Sequence, residues 1–206
     1  LEKVVQKGLD GIVIPKVDSA KELKKIEKII STLEKKRKLK KIRLIPSIES
    51  ALGVINCYEI ASASKRVDAI VFGIFDLLND MQIEYTKGNP IGAKYSRYKI
   101  PVAAAAAGVP AIDGIWQEIK DEKGLLQDCK LGKELGYTGK SIIHPDQIKI
   151  THKIFYPNSS EISWSKLVVK EYEQSTKKGK GAIVVDGKMI DEVHYKRAKA
   201  LLEILK

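Results

Sequence analysis

Cysteine is nearly absent from this 206-residue chain: Cys57 and Cys129 are the only two, far apart and in no CxxC spacing. That excludes a disulfide scaffold and a zinc ribbon, and it fits a reducing cytoplasm. No apolar run approaches the ~18 residues a membrane helix needs, so no membrane partner is expected. The opening LEKVVQKGLDG is neither a signal nor a transit peptide. It lacks Met and reads as a helix joined partway. Aromatics are scarce, at 6%, and nothing matches a zinc finger, an RNA-binding aromatic motif or a basic zipper region. The phosphate loops GxGxxG and GxxxxGK[ST] are missing, as is the GxSxG elbow, which removes the common dinucleotide, P-loop and serine-hydrolase readings.

What remains suffices to build a core. An apolar fraction of 44% excludes wholesale disorder. The 37 basic and 26 acidic side chains leave a formal charge of +11. Much of the lysine lies on KELKKIEKIISTLEKKRKLKK (21–41), where Leu23, Ile26, Ile29, Ile30 and Leu33 keep a helical period and the lysines take the other face. This charge reads as a solvated surface, or as a field drawing an anionic substrate such as a phosphorylated cofactor. No nucleic-acid partner is expected.

Short apolar runs alternate with helical stretches. GIVIPKV (11–17), IRLIPSIE (42–49), VDAIVFG (67–73), VPAIDGI (109–115) and GKSIIH (139–144) read as strands. Helices are expected over 52–64, 95–107 and 124–135, with a loop through Gly88, Asn89 and Pro90. Continuous rather than alternating apolar runs suit strands buried on both faces, hence a parallel α/β sheet. Polar residues gather where these strands end: Lys16, Glu49, Asp76, Asp113 and His144. (β/α)8 barrels build their active sites at that rim, so a TIM barrel is favoured over a doubly wound sheet. Five strands cannot close it, and about three further units are expected before Leu1. Residues 1–156 are read as the barrel portion. Residues 157–206 are read as an appendage: a helix opened by a Ser/Glu capping signal, a hairpin at GAIVVDGKMID and a terminal helix.

Glu49 and Asp76 end consecutive strands and would share one rim, a pairing that suits a hard cation such as Mg²⁺. One of them could instead pair with a buried Arg or Lys. Asp113 could support that site or cap the next helix, the cap being favoured. His144, in a turn held by Pro145, could be a general base or a structural residue. His152 and His194 read as surface residues, and Cys57 as inert core.

Taken together, GIVIPKV, LIPSIES, VDAIVFGIFDLLNDM, GVPAIDGI, GYTGKSIIHPDQI and GKMIDEVHYKRA resemble, in order and over essentially the whole chain, the citrate lyase β-subunit-like branch of the HpcH/HpaI aldolase superfamily. The resemblance implies a usually trimeric (β/α)8 barrel that binds Mg²⁺. It would cleave a 3-hydroxyacyl-CoA such as citryl-CoA into acetyl-CoA and a 2-oxo acid such as oxaloacetate. Malyl-CoA cleavage and a CoA-independent class II aldolase are the alternatives. The family's metal ligands fall on Glu49 and Asp76. Its lid aspartate, supplied across a subunit interface for acid/base work, falls on Asp191. The turn around His144, Pro145 and Gln147 lies in the region that shapes the CoA-side entrance. An arginine from an earlier strand would lie before Leu1. Ser50 departs from the usual Thr, and Ile74-Phe75 from a common Ala-Glu pair, which leaves substrate choice open.

Overall fold

A computed structural model describes residues 1–88, 90–177, 181–203 and 205. The chain divides into two compact units, Leu1–Phe155 and Tyr156–Lys206. Among the described residues, no helix is long and apolar enough to cross a membrane.

The first unit is built on β1 (Gly11–Ile14), β2 (Arg43–Ile48), β3 (Ile70–Phe72), β4 (Ala111–Asp113) and β5 (Gly139–Lys140). All neighbouring pairs are parallel, and the spatial order is the chain order. No strand order reverses, so the sheet lacks the switch point of a doubly wound fold. Each new strand adds on the same side, as in a barrel, but the five described strands form an open sheet.

Between β1 and β2 runs α1 (Ala20–Arg37). The Ser19 side chain accepts from Glu22 N–H at 3.3 Å at its start, and Lys35, Lys36 and Arg37 sit in its last turn, where cations complement the helix dipole. Leu23, Ile30 and Leu33 bury the expected apolar face. Glu34 is also buried: it pairs with Arg66 and accepts from Ile42 N–H at 2.7 Å, tying the helix end to the start of β2.

The stretch expected as one helix over 52–64 is two, α2 (Ala51–Ile55) and α3 (Cys57–Ala61). Asn56 breaks it because its side-chain amide donates to Asp18 O at 2.8 Å, a long-range partner that local periodicity does not report. After β3 comes an unexpected short helix, α4 (Ile74–Asp80), and then α5 (Ile91–Ala107). α6 (Glu122–Glu134) is opened by Asp121, which accepts from Gly124 N–H at 3.0 Å. The strand expected over 139–144 shrinks to Gly139–Lys140, and the residues after the turn form α7 (Gln147–Phe155). The expected opening helix is only a turn, with Val4 and Val5 N–H on Leu1 O. Asn89 of the expected loop lies outside the described residues.

Pro101 stands inside α5 and has no N–H to give Arg97 O. The buried Tyr137 hydroxyl donates there instead, at 3.0 Å. The Arg97 side chain carries a larger duty. It meets Asp113 bidentately and Asp128 at 2.7 Å, while Lys140 reaches Asp113 at 3.0 Å and Asp128 at 2.5 Å. All four side chains are buried. Asp113 is therefore neither a helix cap nor a rim group; it turns inward because two cations wait there.

The second unit comprises α8 (Ser159–Thr176), β6 (Ile183–Val185), β7 (Lys188–Ile190) and α9 (Glu192–Glu203). α8 is opened by an Asn158–Glu161 capping box, so Asn rather than Ser supplies the cap. The antiparallel hairpin turns at Asp186 and Gly187, both at positive φ (47° and 75°), as a tight hairpin turn requires. Val168, Tyr172, Val185, Ile190 and Ala198 make a core of its own. Ile204 and Lys206 of the expected terminal helix lie outside the described residues.

In the folded state burial opposes the Asp128 charge, but Lys140 and Arg97 outweigh it and hold its carboxyl below the ordinary range. The stabilisation is therefore present above that ordinary range and is lost as pH falls through the lower, folded value. Arg97→Met should lower the unfolding free energy by roughly 3–5 kcal/mol, since it strands two buried carboxylates. Urea titrations followed by circular dichroism at neutral pH would detect this; a loss below about 1 kcal/mol would refute it.

Candidate active site

The carboxyl ends of the parallel strands bring the first unit's rim residues together. Glu49 follows β2 directly, and Ser50 then caps α2, accepting from Gly53 N–H at 2.9 Å. No slack separates strand from helix, so the glutamate must project at the rim. Gly73 follows β3. A Cβ on Gly73 would lie 2.3 Å from Glu49 Cγ and 3.2 Å from its Oε1, so the glutamate side chain lies directly over the glycine. Three residues on, Asp76 occupies the first turn of α4, where the helix dipole favours an anion. The glycine thus lets a carboxylate from one strand end settle against the helix that carries the other.

Lys16, after β1, reaches Asp76 Oδ1 at 2.9 Å. Hydrogen bonding to Asp76, and then the Asp76 and Glu49 charges, hold its ammonium above the usual lysine range. The expectation that a carboxylate might pair with a buried base is thus met in altered form, because Lys16 is exposed. Two further carboxylates nearby are committed: Asp18 accepts from the Ser50 hydroxyl and Asp80 from Ala51 N–H at 2.8 Å. Glu49 has no hydrogen-bond or ion-pair contact among the described residues. Its free oxygens, with Asp76 adjacent, form the type of donor pair a hard divalent cation takes. Among the described residues, no cluster of three or more His, Cys, Asp or Glu could hold a metal. A cation here would complete its shell with water and substrate oxygens, as Mg²⁺ usually does.

Ile74 is buried and Phe75 packs against Tyr85 in a tilted pair, 4.9 Å between ring centroids, so the pair that departs from the common Ala-Glu packs inward and adds no charge. In the turn after β5, the Gln147 amide donates to Trp116 O at 2.9 Å and accepts from Ile143 N–H at 3.0 Å. Both its ends are spent on the main chain and the side chain is buried, so Gln147 holds the turn from inside and offers a ligand nothing directly. His144 and Pro145 form the turn's outer surface, with His144 Nδ1 accepting from Asp146 N–H at 3.2 Å.

Asp191 belongs to the second unit. It caps α9, accepting from Val193 N–H at 3.0 Å and His194 N–H at 3.2 Å, and its Oδ1 lies 2.7 Å from His194 Nδ1. The contact with the His194 side chain, then the backbone bonds, hold its carboxyl below the ordinary range. His194 is exposed, as expected of a surface residue, and is also this aspartate's partner. The His-Asp spacing of three within a helix start was the available signal.

A model of the HpcH/HpaI aldolase/citrate lyase family matches residues 1–145. The chain belongs to that family. Its match takes in the whole rim, from Lys16 to His144. The chain is 34% identical to the citrate lyase subunit beta of Leuconostoc mesenteroides subsp. cremoris, over 99% of this chain and 68% of that protein. It is 31% identical to a (3S)-malyl-CoA thioesterase of Cereibacter sphaeroides, over 98% of this chain and 67% of that one. It also resembles the crystal structure of protein CitE from Mycobacterium tuberculosis in complex with magnesium, acetoacetate and coenzyme A, with TM-score 0.68 and 22% identity over 94% of this chain and 67% of the other. The chain thus spans about two thirds of the length of these relatives. Citrate lyase family members align through the second unit as well, so the hairpin and Asp191 lie within the shared region.

Neither cysteine enters this site. Both are buried; burial pushes the Cys57 thiol up to about 12 and raises that of Cys129. A disulfide thiol reagent at pH 8 should leave both unreacted for as long as the fold holds and label both in urea. Prompt labelling of Cys57 in the folded protein would contradict its burial.

Proposed function

We propose that this protein is a Mg²⁺-dependent carbon–carbon lyase, built on a (β/α)8 barrel of which β1 to β5 are consecutive strands. It would cleave a 3-hydroxyacyl-CoA such as citryl-CoA into acetyl-CoA and oxaloacetate. The observation that carries this is the Glu49–Asp76 pair at one strand-end rim, with Glu49 uncommitted and seated over Gly73. The relatives named citrate lyase subunit beta support the choice of citryl-CoA.

The chemistry assigns each group a task. In cleavage, the 3-hydroxyl loses its proton, its oxygen becomes the oxo group, and the electrons of the broken carbon–carbon bond pass to the acetyl thioester. The new methyl group then takes up a proton. Bound Mg²⁺ would stabilise the charge on the oxygen that passes between hydroxyl and carbonyl. Glu49 and Asp76 would hold it, and neither has to leave a buried partner to do so. Asp191, oriented by its cap and His194, would take the proton from the acetyl methyl as a carboxylate in the condensation direction and, in cleavage, deliver from its protonated form the proton that the methyl takes up. The surface at His144 and Pro145 is assigned to the CoA-side entrance. The net charge of +11 favours approach of an anionic thioester and an oxo acid.

A homo-oligomer, a trimer by family resemblance, is part of this reading. Ile91, Tyr95, Tyr98 and Val102 repeat along one face of α5 and are exposed, and Leu52, Ile55 and Tyr58 on the adjoining α2 and α3 are exposed too. Apolar surface of this kind is commonly covered by another chain. A second reading, malyl-CoA as substrate, is favoured by the (3S)-malyl-CoA thioesterase relatives.

The decisive assay measures acetyl-CoA released from citryl-CoA and from malyl-CoA, with Mg²⁺ and with EDTA. Release should require the metal, and Asp76→Asn should reduce it by at least about 100-fold with the fold unchanged. Free CoA as the only product would instead mark thioester hydrolysis. Gly73→Ala should keep the circular dichroism spectrum yet weaken Mg²⁺ binding by about 10–100-fold, since its Cβ would displace Glu49. Calorimetric titration with MgCl₂ checks this; wild-type affinity would show that Glu49 is not a ligand.

A further inference from the structure

Lys16 has a left-handed backbone, at φ 53°. The other non-glycine residues described there have local reasons: Lys38 closes α1, Gln82 follows α4, and Asp186 is in the hairpin turn. Lys16 closes no helix and turns no hairpin. A side chain held in this region persists only where its surroundings over-determine it, and such strain gathers at functional sites. Here the ring of Pro15 fixes its own φ, and Val17 N–H is tied to Ser47 O at 3.3 Å. With both flanks held, the side chain extends from the end of β1 to Asp76 on α4, where its ammonium sits 2.9 Å from Oδ1.

We propose that Lys16 is the counter-ion of the metal-free site and, when the metal is bound, the residue that takes the distal carboxylate of a dicarboxylic 2-oxo acid. This rests on the reading of Glu49 and Asp76 as a Mg²⁺ site. An ammonium and a dication compete for the same Asp76 oxygen, and the doubly charged ion wins. Lys16 is then repelled from Asp76 but stays tethered at the same rim by its fixed backbone. Pyruvate carries one carboxylate and oxaloacetate a second, distal one, which needs a cationic partner once the first is engaged. A released ammonium on a long flexible stem meets that need. The exchange keeps the two carboxylates apart from uncompensated repulsion before loading, and it couples loading to selection of the dicarboxylic acid.

The test is calorimetric titration of the full chain with MgCl₂, comparing wild type with Lys16→Met, Lys16→Gly and Lys16→Arg. Removing the competing cation should tighten Mg²⁺ binding about three- to tenfold in the Met and Gly variants and leave the Arg variant near wild type. Gly also relieves the left-handed strain, so its result is not confounded by misfolding. At saturating Mg²⁺, Lys16→Met should lose about tenfold in affinity for oxaloacetate and little for pyruvate. Unchanged or weaker Mg²⁺ binding in both the Met and Gly variants overturns the proposal, as does an equal loss for the two acids. Absence of Mg²⁺ binding in wild type and variants alike overturns it by removing the Glu49–Asp76 site on which it rests.

Discussion

Two buried cations and two buried carboxylates hold one half of the parallel sheet in register. Arg97 comes from α5, Asp113 from β4, Asp128 from α6 and Lys140 from β5, so four elements meet in one neutral cluster. Each charge is costly to bury alone, and each meets two of opposite sign within the cluster. Such a cluster tolerates no slippage. A one-residue shift of β5 would carry Lys140 to the opposite face of the sheet and leave both carboxylates one cation short. The apolar core supplies most of the stabilisation, whereas these charges select the arrangement.

That rigidity matters because the cluster sits at the same carboxyl edge of the sheet as the open rim, Asp113 and Lys140 being the last residues of β4 and β5. Along this edge charge is exposed: among the described residues Glu49 has no hydrogen-bond or ion-pair contact, and Asp76 meets the Lys16 ammonium at 2.9 Å. The relatives include proteins named citrate lyase subunit beta and (3S)-malyl-CoA thioesterase. In the proposed reading, Glu49 and Asp76 bear on what such substrates share and Lys16 on how they differ. Division of labour of this kind is expected where a stiff scaffold presents a small number of adjustable groups.

The second unit follows another logic. Its own core centres on the Tyr172–Tyr195 stack, with ring centroids 4.9 Å apart, and its hairpin leaves Val184 and Met189 exposed. Asp191 gains its position from a helix cap, a local device that needs no partner from elsewhere in the chain. Its geometry is therefore set within a dozen residues, and the GKMID sequence carries it intact.

The order of strands and helices, and the placement of Glu49 at a strand end, were legible in the amino-acid order because burial on both faces writes itself as unbroken apolar runs. The burial of Cys57 was legible for a local reason too, its place on the apolar face of a helix. Short elements escaped: α4 and α7 lie where a strand end and a turn were expected, since a few residues of helix carry too little period to be read. Asp113 was misread, because its partners Arg97 and Lys140 stand 16 and 27 residues away. Gly73 and Lys16 are the same case at the rim. Nothing local says that a glutamate from the previous strand needs the space above Gly73, or that a left-handed backbone aims Lys16 at Asp76. Faces are encoded in periodicity, whereas partners exist only once distant segments have been brought within a few ångströms of each other.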